Sequence, residues 1–414
     1  MANSENGSAS ASIMMFEPGA AESRPFSLTH IPFAAFAVTH PGLESVLTAE
    51  LNRLGLAPSA PVAGGCQFVA SLDQIIRANL CLRTATRVLV RVATFRARSF
   101  IELERHAQRV GWGRFLGRGV AAHFRVTSKK SKLFHEKGIA ERLAAAVQTT
   151  CAGVEMATSR AEADLEEREV TVPTTVQRFV VRFHYDDCTI SADSSGPLLH
   201  RRGYRLASAK APLRETLAAG LLLGSGWDGS TPLIDPMCGS GTIPIEAALI
   251  ARRMAPGLIR RFAFEQWPEV DQALVQRIRS DVASESRAKS PVILIGSDRD
   301  AGAVAASAAN AAAAGLSDVE WRQGAVSTLT PPAARGWVVT NPPYGARVGD
   351  RTKLRDLYAQ FGNVLRRRCP GWHVAMVSAD RILEGHVGLR WHDVAATDNG
   401  GIPVRFVVGE VPEA

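Results

Sequence analysis

Cysteine pairs, long apolar runs and export signals are missing from this sequence, and each absence excludes a class of protein. The six cysteines among 414 residues show neither CxxC nor Cys/His spacing, which argues against a disulfide scaffold and a zinc ribbon. No apolar run approaches the roughly 20 residues of a membrane span, and the N-terminus lacks the basic start and hydrophobic stretch of a signal peptide. We therefore expect a soluble cytoplasmic protein that requires no metal and enters no membrane.

Basic charge, by contrast, is present in excess and is unevenly placed. The chain carries 48 Lys and Arg against 40 Asp and Glu, and its 46% of hydrophobic residues can form a sizeable core. Residues 83–142 hold fifteen basic and four acidic residues, a net charge of +11, so the excess belongs to one part of the chain. This part is expected to meet a polyanion, although a solvated basic face would show the same pattern.

The densest basic stretch covers residues 125–135. It mixes cations with hydroxyl groups, and both can donate hydrogen bonds to phosphate oxygens. The mixture makes a nucleic acid a candidate partner. The residues expected to contact its phosphates are Arg125, Ser128, Lys129, Lys130, Lys132 and Lys137.

The composition changes along the chain and predicts three segments. Residues 1–28 are rich in Ser, Ala and Gly without an apolar repeat, so we expect a flexible tail. Residues 29–195 are expected to form an α+β module. Residues 196–414, where short apolar runs alternate with helical patterns, are expected to form one α/β domain. Strands of the α+β module are expected from Ile31 to the Pro-Gly turn at 41–42, and at 67–70, 87–93, 169–172 and 178–185.

The third segment has the strand pattern of an α/β sheet. Its first five apolar runs are short and continuous, as in strands that a parallel sheet buries on both faces. An open sheet of this kind places ligands at the carboxyl ends of its strands. The expected strands are 232–237, 291–297, 318–323, 337–341, 373–378, 391–396 and 403–411.

A glycine-containing loop, Asp235-Pro-Met-Cys-Gly-Ser-Gly-Thr242, follows the first of these strands. Gly239 and Gly241 allow a tight turn and a close approach of the backbone to a ligand. The third glycine of a dinucleotide-binding loop is replaced by Pro244, and Asp235 would repel a pyrophosphate. We therefore expect Asp235 to face a cationic amino acid group, although a plain strand-to-helix turn would look similar.

Acidic residues follow the second strand, in Gly296-Ser-Asp-Arg-Asp300. An acid at this position can accept hydrogen bonds from both hydroxyl groups of a ribose, and we assign this role to Asp298. Asp300 is better placed to cap the following helix. Together with the glycine loop, Asp298 predicts a site for a nucleoside that carries an amino acid group.

The most informative motif is Asn341-Pro-Pro-Tyr-Gly345, at the end of the fourth strand. The two prolines fix the backbone so that carbonyl groups point outward, and Tyr344 offers a flat face beside the amide of Asn341. An exocyclic amine on a planar base needs these parts, because they supply acceptors for its hydrogens and a ring for stacking. A turn stiffened by proline is the simpler explanation, but the position at a strand end favours a catalytic site.

These motifs resemble those of a known enzyme family. The loop at 235–242 and the segment at 341–345 look like motifs I and IV of class I S-adenosylmethionine-dependent methyltransferases that act on amino nitrogens. Further stretches are similar to the THUMP-containing RNA guanine-N2 methyltransferases, above all to bacterial enzymes that modify 23S ribosomal RNA, with the tRNA enzymes next. These stretches are 41–47, 77–85, 129–142, 199–205, 211–219 and 245–248.

The resemblance implies a ferredoxin-like segment and an RNA-binding THUMP domain, followed by a Rossmann-like sheet of seven strands whose last strand is antiparallel. It implies S-adenosylmethionine as cofactor and a catalytic role for Asn341, Pro342, Pro343 and Tyr344. Where relatives often have an acid after the third strand, this chain has Ala325, so backbone groups of 324–326 would have to hold the adenine. The implied cofactor contacts are Asp235, Met237, Cys238, Gly239, Gly241, Thr242, Asp298, Arg299, Gly324, Ala325 and Asn341.

The resemblance thus implies methyl transfer to N2 of a guanosine in 23S ribosomal RNA, by a monomer or weak dimer. Asn341 and the Pro342 carbonyl would accept the hydrogens of the amine, and Tyr344 would stack on an unstacked base. Four alternatives stay open: a guanosine of tRNA, an amino group of DNA, a glutamine of a protein, and a role in RNA assembly without catalysis. The basic stretch argues against a protein substrate, and together with the resemblance to THUMP proteins it favours RNA over DNA.

Overall fold

The computed structural model describes residues 32–158, 170–206, 213–344 and 351–413. The stretch expected to be a flexible tail, 1–28, lies outside these residues. Two β-sheets, one of six strands and one of seven, organise the described chain. Within it, no helix combines the length and the apolarity needed to cross a bilayer.

The first sheet has the spatial strand order β2-β1-β3-β6-β5-β4. Strands β4 and β5 run parallel, and the other neighbouring pairs run antiparallel. Its strands are β1 (Phe33–Thr39), β2 (Gly65–Ala70), β3 (Ala85–Arg96), β4 (Ala121–Lys129), β5 (Val176–His184) and β6 (Asp187–Asp193). The helices that pack with it are α1 (Glu44–Arg53), α2 (Leu72–Cys81), α3 (Phe100–Ala107) and α4 (Glu136–Thr150).

Alternation of side chains gives this sheet one buried and one outer face. In β5, Phe179, Val181 and Phe183 are fully buried, whereas Arg182 between them is exposed. This strand agrees with the one expected at 178–185. The strand expected at 169–172 is wrong, because 170–172, the part of it that the structure describes, forms a turn and a bend.

The second sheet has the spatial strand order β12-β13-β11-β10-β7-β8-β9. Strand β13 is antiparallel to β11 and β12, and the remaining neighbouring pairs are parallel. Its strands are β7 (Leu233–Asp235), β8 (Leu294–Asp298), β9 (Val319–Gln323), β10 (Trp337–Thr340), β11 (His373–Ser378), β12 (His392–Asn399) and β13 (Ile402–Glu410). Its helices are α5 (Glu215–Ser225), α6 (Thr242–Ala251), α7 (Gln272–Ser284), α8 (Ala301–Ala313), α9 (Arg351–Arg368) and α10 (Arg381–Val387).

This arrangement confirms the expected α/β sheet of seven strands with a reversed last strand. All seven strands expected from the sequence are present, within a few residues of the expected bounds. Strand β7 lies between β8 and β10, so the chain reverses its direction of travel across the sheet at β7. Ligands bind at such a reversal, beyond the carboxyl ends of the strands.

The hydrophobic cores of the two sheets are interlocked. Buried side chains between Ala255 and Val282 pack with the core of the first sheet, and α7 lies against α2. In the opposite direction, the fully buried Leu43 packs with the core of the second sheet. Each of the two cores therefore includes side chains from the segment that forms the other sheet.

A polar link joins the two halves beside these contacts. The guanidinium of Arg83 donates from Nη2 to the carbonyl oxygens of Leu249 at 3.1 Å and Met254 at 2.7 Å. Arg202 in turn donates to the Arg83 carbonyl at 2.6 Å and lies 3.4 Å from the carboxylate of Glu246. The expected division of the chain into segments 29–195 and 196–414 stays a prediction. Side chains of each segment pack in the core of the other.

Candidate active site

The glycine loop joins β7, which ends at Asp235, to α6, which begins at Thr242. Gly239 and Gly241 both adopt the left-handed region, with φ values of 56° and 81°. At Gly241 a Cβ atom would lie 2.8 Å from the Trp321 ring. Glycine is thus required there by both the backbone conformation and the packing.

Asp235 connects this loop to the neighbouring strand β10. The side chain is 1% exposed, and its Oδ1 accepts hydrogen bonds from the Thr340 hydroxyl at 2.7 Å and the Met237 N–H at 3.1 Å. Burial raises the pKa of Asp235 to about 7, and the nearby Asp298 carboxylate adds to the shift. A cationic ligand group would reverse this shift, because it stabilises the ionised carboxylate.

Asp298 lies at the end of β8 and holds two backbone segments together. Its Oδ2 accepts from the Gly239 N–H at 3.0 Å, and its Oδ1 accepts from the Asp300 N–H at 3.0 Å. The ribose role of Asp298 stays a prediction. The cap is confirmed, because Oδ1 of Asp300 accepts from Gly302 N–H at 2.8 Å and Ala303 N–H at 3.4 Å at the start of α8.

The segment after β9 lies beside Asp298. The Gly324 N–H donates to the Asp298 carbonyl at 2.9 Å, which brings Gly324 to the end of β8. The Ala325 carbonyl accepts from both the N–H of Thr328 at 2.9 Å and its hydroxyl at 2.8 Å. This carbonyl is therefore occupied, and an adenine contact would have to use other backbone groups of the segment.

The remaining residues predicted to contact the cofactor lie around the loop. Met237 is half-buried, and the buried thiol of Cys238 lies 3.7 Å from the Ser307 hydroxyl. Burial raises the pKa of the Cys238 thiol, so it stays protonated. Arg299, next to Asp298, is exposed.

The Asn341–Tyr344 segment follows β10 and reaches the same end of the sheet as the glycine loop. Oδ1 of Asn341 is buried and has no hydrogen-bond partner among the described residues. Pro342 is buried, and the Pro343 carbonyl accepts from the Tyr358 hydroxyl at 3.4 Å. The last residue of the motif, Gly345, lies outside the described residues.

Tyr344 is held by a residue that the sequence did not point to. Its hydroxyl accepts a hydrogen bond from Nδ2 of Asn399 at 2.9 Å. Burial raises the pKa of Tyr344, so the hydroxyl is neutral. The structure thus brings Asp235, Asn341 and Tyr344 to one end of the sheet, as predicted.

Arg205 is a second residue beside the glycine loop that sequence reasoning missed. It donates to the Thr242 hydroxyl at 3.0 Å, to the Ser240 hydroxyl at 3.3 Å and to the Glu215 carboxylate at 2.8 Å. It therefore fixes the glycine loop relative to the start of α5. The only sequence signal for Arg205 was the family resemblance of the stretches 199–205 and 211–219, and that resemblance assigned no role to the residue.

Two family profiles match the chain. The profile of an RMKL-like methyltransferase domain matches residues 202–405, and that of an RlmL ferredoxin-like domain matches residues 34–89. A candidate RNA methyltransferase of Synechocystis is 34% identical over 388 residues, covering 93% of this chain and 98% of that protein. The chain belongs to the RMKL-like methyltransferase family.

Other members of the RMKL-like family are longer than this chain. The ribosomal RNA large subunit methyltransferase K/L of Syntrophotalea carbinolica is 34% identical over 396 residues, covering 92% of this chain and 54% of the relative. The enzyme of the same name from Shewanella baltica is 35% identical over 379 residues, covering 90% and 52%. The chain thus spans about half the length of these curated relatives.

Solved structures share the fold of this RMKL-like methyltransferase. SMU.472, a candidate methyltransferase crystallised with S-adenosylhomocysteine, has a TM-score of 0.80 and 29% identity, covering 92% of this chain and 98% of that one. A protein of Listeria monocytogenes described as a predicted N6-adenine-specific DNA methylase has a TM-score of 0.81 and 30% identity, covering 95% and 99%. Both matches include the N-terminal sheet as well as the methyltransferase domain.

The N-terminal sheet of the methyltransferase carries cations on its outer face. The predicted phosphate contacts Arg125, Lys129, Lys130, Lys132 and Lys137 are all exposed. Three rows of directly opposed residues cross β3, β6, β5 and β4 on this face. They are Arg91, Ser191, Val180 and Arg125; Thr94, Thr189, Arg182 and Thr127; and Arg96, Asp187, His184 and Lys129.

We call Arg91, Arg96, Arg125, Lys129 and Arg182 the basic face. Burial, together with the neighbouring Arg182 cation, lowers the pKa of Arg91. A polyanion would relieve this repulsion, because it supplies the missing negative charge. The sequence alone shows Arg91 and Arg125 but not their alignment, which depends on strand pairing.

Two of the predicted contacts are already engaged within the chain. The Ser128 hydroxyl donates to the Leu133 carbonyl at 2.6 Å, so its proton is not available to a phosphate. The Lys130 ammonium donates to the Tyr185 hydroxyl at 2.9 Å and lies 5.2 Å from the centre of that ring. Lys130 thus lies at the edge of the basic face, next to an exposed aromatic ring.

Proposed function

We propose that this methyltransferase transfers the methyl group of S-adenosylmethionine to the exocyclic N2 of a guanosine in 23S ribosomal RNA. The observation that carries the proposal is the buried Oδ1 of Asn341, which has no partner among the described residues. A buried acceptor without a donor is costly, so its presence at the carboxyl end of β10 favours a donor that arrives with the substrate. The names of the K/L relatives support ribosomal RNA as that substrate.

The residues at the end of the sheet fit the cofactor. The buried Asp235 would face its ammonium group, and Asp298 has two backbone bonds and room on its oxygens for the ribose hydroxyl groups. Gly239 and Gly241 would let the backbone approach it closely. S-adenosylmethionine, when bound, supplies a methyl group on a positively charged sulfur.

Positioning and electrostatics would supply most of the catalysis, because methyl transfer needs no covalent enzyme intermediate. The lone pair of guanine N2 is delocalised into the ring, which makes the amine a poor nucleophile. Oδ1 of Asn341 and the Pro342 carbonyl would accept its hydrogens and orient its lone pair. Tyr344 would stack on the base, which must leave its own stack to enter the site.

The basic face would hold the RNA. One cross-strand row places Arg182 among the hydroxyl groups of Thr94, Thr127 and Thr189, and cations and hydroxyl groups can both donate to phosphate oxygens. A THUMP domain in this part of the chain and action in the cytoplasm, as a monomer or weak dimer without a metal, belong to the same proposal. A guanosine of tRNA is the next candidate substrate.

Methylation of DNA is the alternative that one comparison favours, through the name of the Listeria monocytogenes neighbour. The experiment that separates these functions is nucleoside mass spectrometry on fractions from a strain lacking the gene. We expect N2-methylguanosine to disappear from 23S ribosomal RNA and to return when the wild-type chain is supplied. Loss from tRNA alone, or loss of a methylated base from DNA, would refute ribosomal RNA as the substrate.

A further inference from the structure

The hairpin of β12 and β13 carries a polar side chain into the candidate active site. Asn399 is the last residue of β12 and pairs with Ile402 across the turn Gly400-Gly401. The side chain belongs to a residue that is only 9% exposed, and its Nδ2 donates to the Tyr344 hydroxyl at 2.9 Å. The contact joins two segments that are 55 residues apart in the chain.

The N-terminal module fixes this hairpin from the other side. A Cβ atom at Gly42 would lie 2.2 Å from the carbonyl oxygen of Ala396, three residues before Asn399. Gly42 has a φ of 88°, a conformation that side chains disfavour, and the next residue, Leu43, is buried in the methyltransferase core. The strand that presents Asn399 is therefore packed closely against the turn before α1.

We propose that Asn399 is a positioning residue that fixes the ring of Tyr344 for stacking on the target base. The proposal rests on the proposed function of the site. A tyrosine at the end of a loop can rotate about two side-chain torsions, and a hydrogen bond to its hydroxyl restricts that rotation. Asn399 contacts the hydroxyl of Tyr344, and in this proposal it acts on the substrate only through Tyr344.

The neutral state of the Tyr344 hydroxyl suits this arrangement. Burial raises its pKa, so the hydroxyl keeps its proton while its oxygen accepts from Asn399. An asparagine amide is a fixed donor that does not titrate. The hydrogen bond from Asn399 to Tyr344 is therefore expected to persist over the whole pH range in which the chain is folded.

A double-mutant cycle on the full chain tests the proposal. The variants are Asn399→Ala, Tyr344→Phe and the two combined, with single-turnover methyl transfer to unmodified ribosomal RNA as the measurement. Each single variant should lower the rate roughly 2- to 12-fold, the value of one neutral hydrogen bond. The double variant should be no slower than either single variant, because both remove the same bond.

Affinity for S-adenosylhomocysteine, measured by calorimetry, should stay within about twofold in all three variants, as the bond acts on the base and not on the cofactor. Thr397→Val is the matched control, since this hydroxyl lies on the same strand, is buried and has no partner among the described residues. We expect this variant to transfer methyl groups at the wild-type rate. A rate as low as that of Asn399→Ala would overturn the proposal, because the loss would then follow from any change in β12 and not from the bond to Tyr344.

If the rate losses of the two single variants multiplied in the double variant, the positioning role would be overturned. A wild-type rate in Asn399→Ala would overturn it as well. The product is identified by mass spectrometry, which separates this outcome from a failure of the proposed function. Methylation of another base would refute the guanine assignment and leave the coupling measurable on that product. A wild-type chain that transfers no methyl group to RNA would overturn both.

Discussion

Replacing Asn341 by alanine should lower catalysis greatly while leaving the stability of the fold almost unchanged. Most buried polar side chains contribute to stability through their hydrogen bonds. Oδ1 of Asn341 makes none with the described residues, although it is shielded from water. Its desolvation is therefore a cost to the folded state that the substrate amine would compensate on binding.

The magnitudes follow from this geometry. A buried acceptor without a partner costs about 1–3 kcal/mol, which offsets the packing lost with the side chain. We expect the free energy of unfolding of Asn341→Ala to lie within about 1 kcal/mol of the wild type. Loss of one preorganised polar group at a reacting centre costs about 10²–10³-fold in rate, or about 2.7–4 kcal/mol of transition-state stabilisation.

Asn79 offers a matched control in the N-terminal module. It is 1% exposed, and its Nδ2 donates to the Ile75 carbonyl and the Ser194 hydroxyl, each at 2.9 Å. Its Oδ1 accepts from the Ser195 hydroxyl at 2.6 Å. Asn79→Ala should lose more than about 2 kcal/mol of stability, because it leaves several buried partners unpaired. The folded fraction should still transfer methyl groups at the wild-type rate.

The assay pairs urea denaturation with single-turnover methyl transfer to unmodified ribosomal RNA. Calorimetry with S-adenosylhomocysteine shows whether the cofactor site is intact. A rate for Asn341→Ala within threefold of the wild type would refute the role of its side-chain oxygen. A loss of stability as large as that of Asn79→Ala would show that Oδ1 has a structural partner and that the reasoning from its burial is wrong.

The remaining predictions concern the cofactor, the base and the RNA. Asp298→Ala should weaken cofactor binding by about 1.5–3 kcal/mol in calorimetry, whereas Asp300→Ala should cost about 0.5–2 kcal/mol of stability as a lost cap and leave affinity unchanged. Because the pKa of Asp235 is raised to about 7, affinity for a cationic ligand should increase as the pH rises toward that value, and Asp235→Asn should abolish this dependence. The same shift has the opposite effect on folding. Between about pH 4 and pH 7 the unfolded chain ionises this carboxyl while the folded chain keeps it protonated, so stability falls as the pH rises. Tyr344→Ala should lower the rate more than Tyr344→Phe, because stacking on the ring contributes about 1–3 kcal/mol per base. RNA affinity should fall steeply with salt, and Arg182→Ala should reduce the log-log slope by about 0.7–0.9; an unchanged slope would place the phosphates elsewhere.

The residues at the ends of β7, β8 and β10 could be predicted because their signals are local. Gly239 and Gly241 are required by the backbone within one loop, and Asp300 caps the helix that begins at the next residue. The short apolar runs that became β7, β10 and β11 are almost entirely buried, so their composition alone identifies them. These features depend on a few neighbouring positions and on little else.

The first sheet was harder to predict, because its strands have one exposed face. Residues 121–129 form β4, but the cations and hydroxyl groups of its second half show no strand pattern in the sequence and fit any solvated basic face. Only the pairing with β5 places Arg125 and Lys129 on one face with Arg182. The same holds for Asn399, whose contact with Tyr344 depends on a strand order that no local pattern encodes.

The interlocked cores have a consequence for how this chain unfolds. Removing the N-terminal part would expose the apolar side chains of 255–282 and leave the pocket around Leu43 empty. Neither part can therefore melt without taking stabilising contacts from the other. Heating should produce one cooperative calorimetric transition for the described chain, and a protease that cleaves between the two parts should leave a nicked complex rather than two free domains.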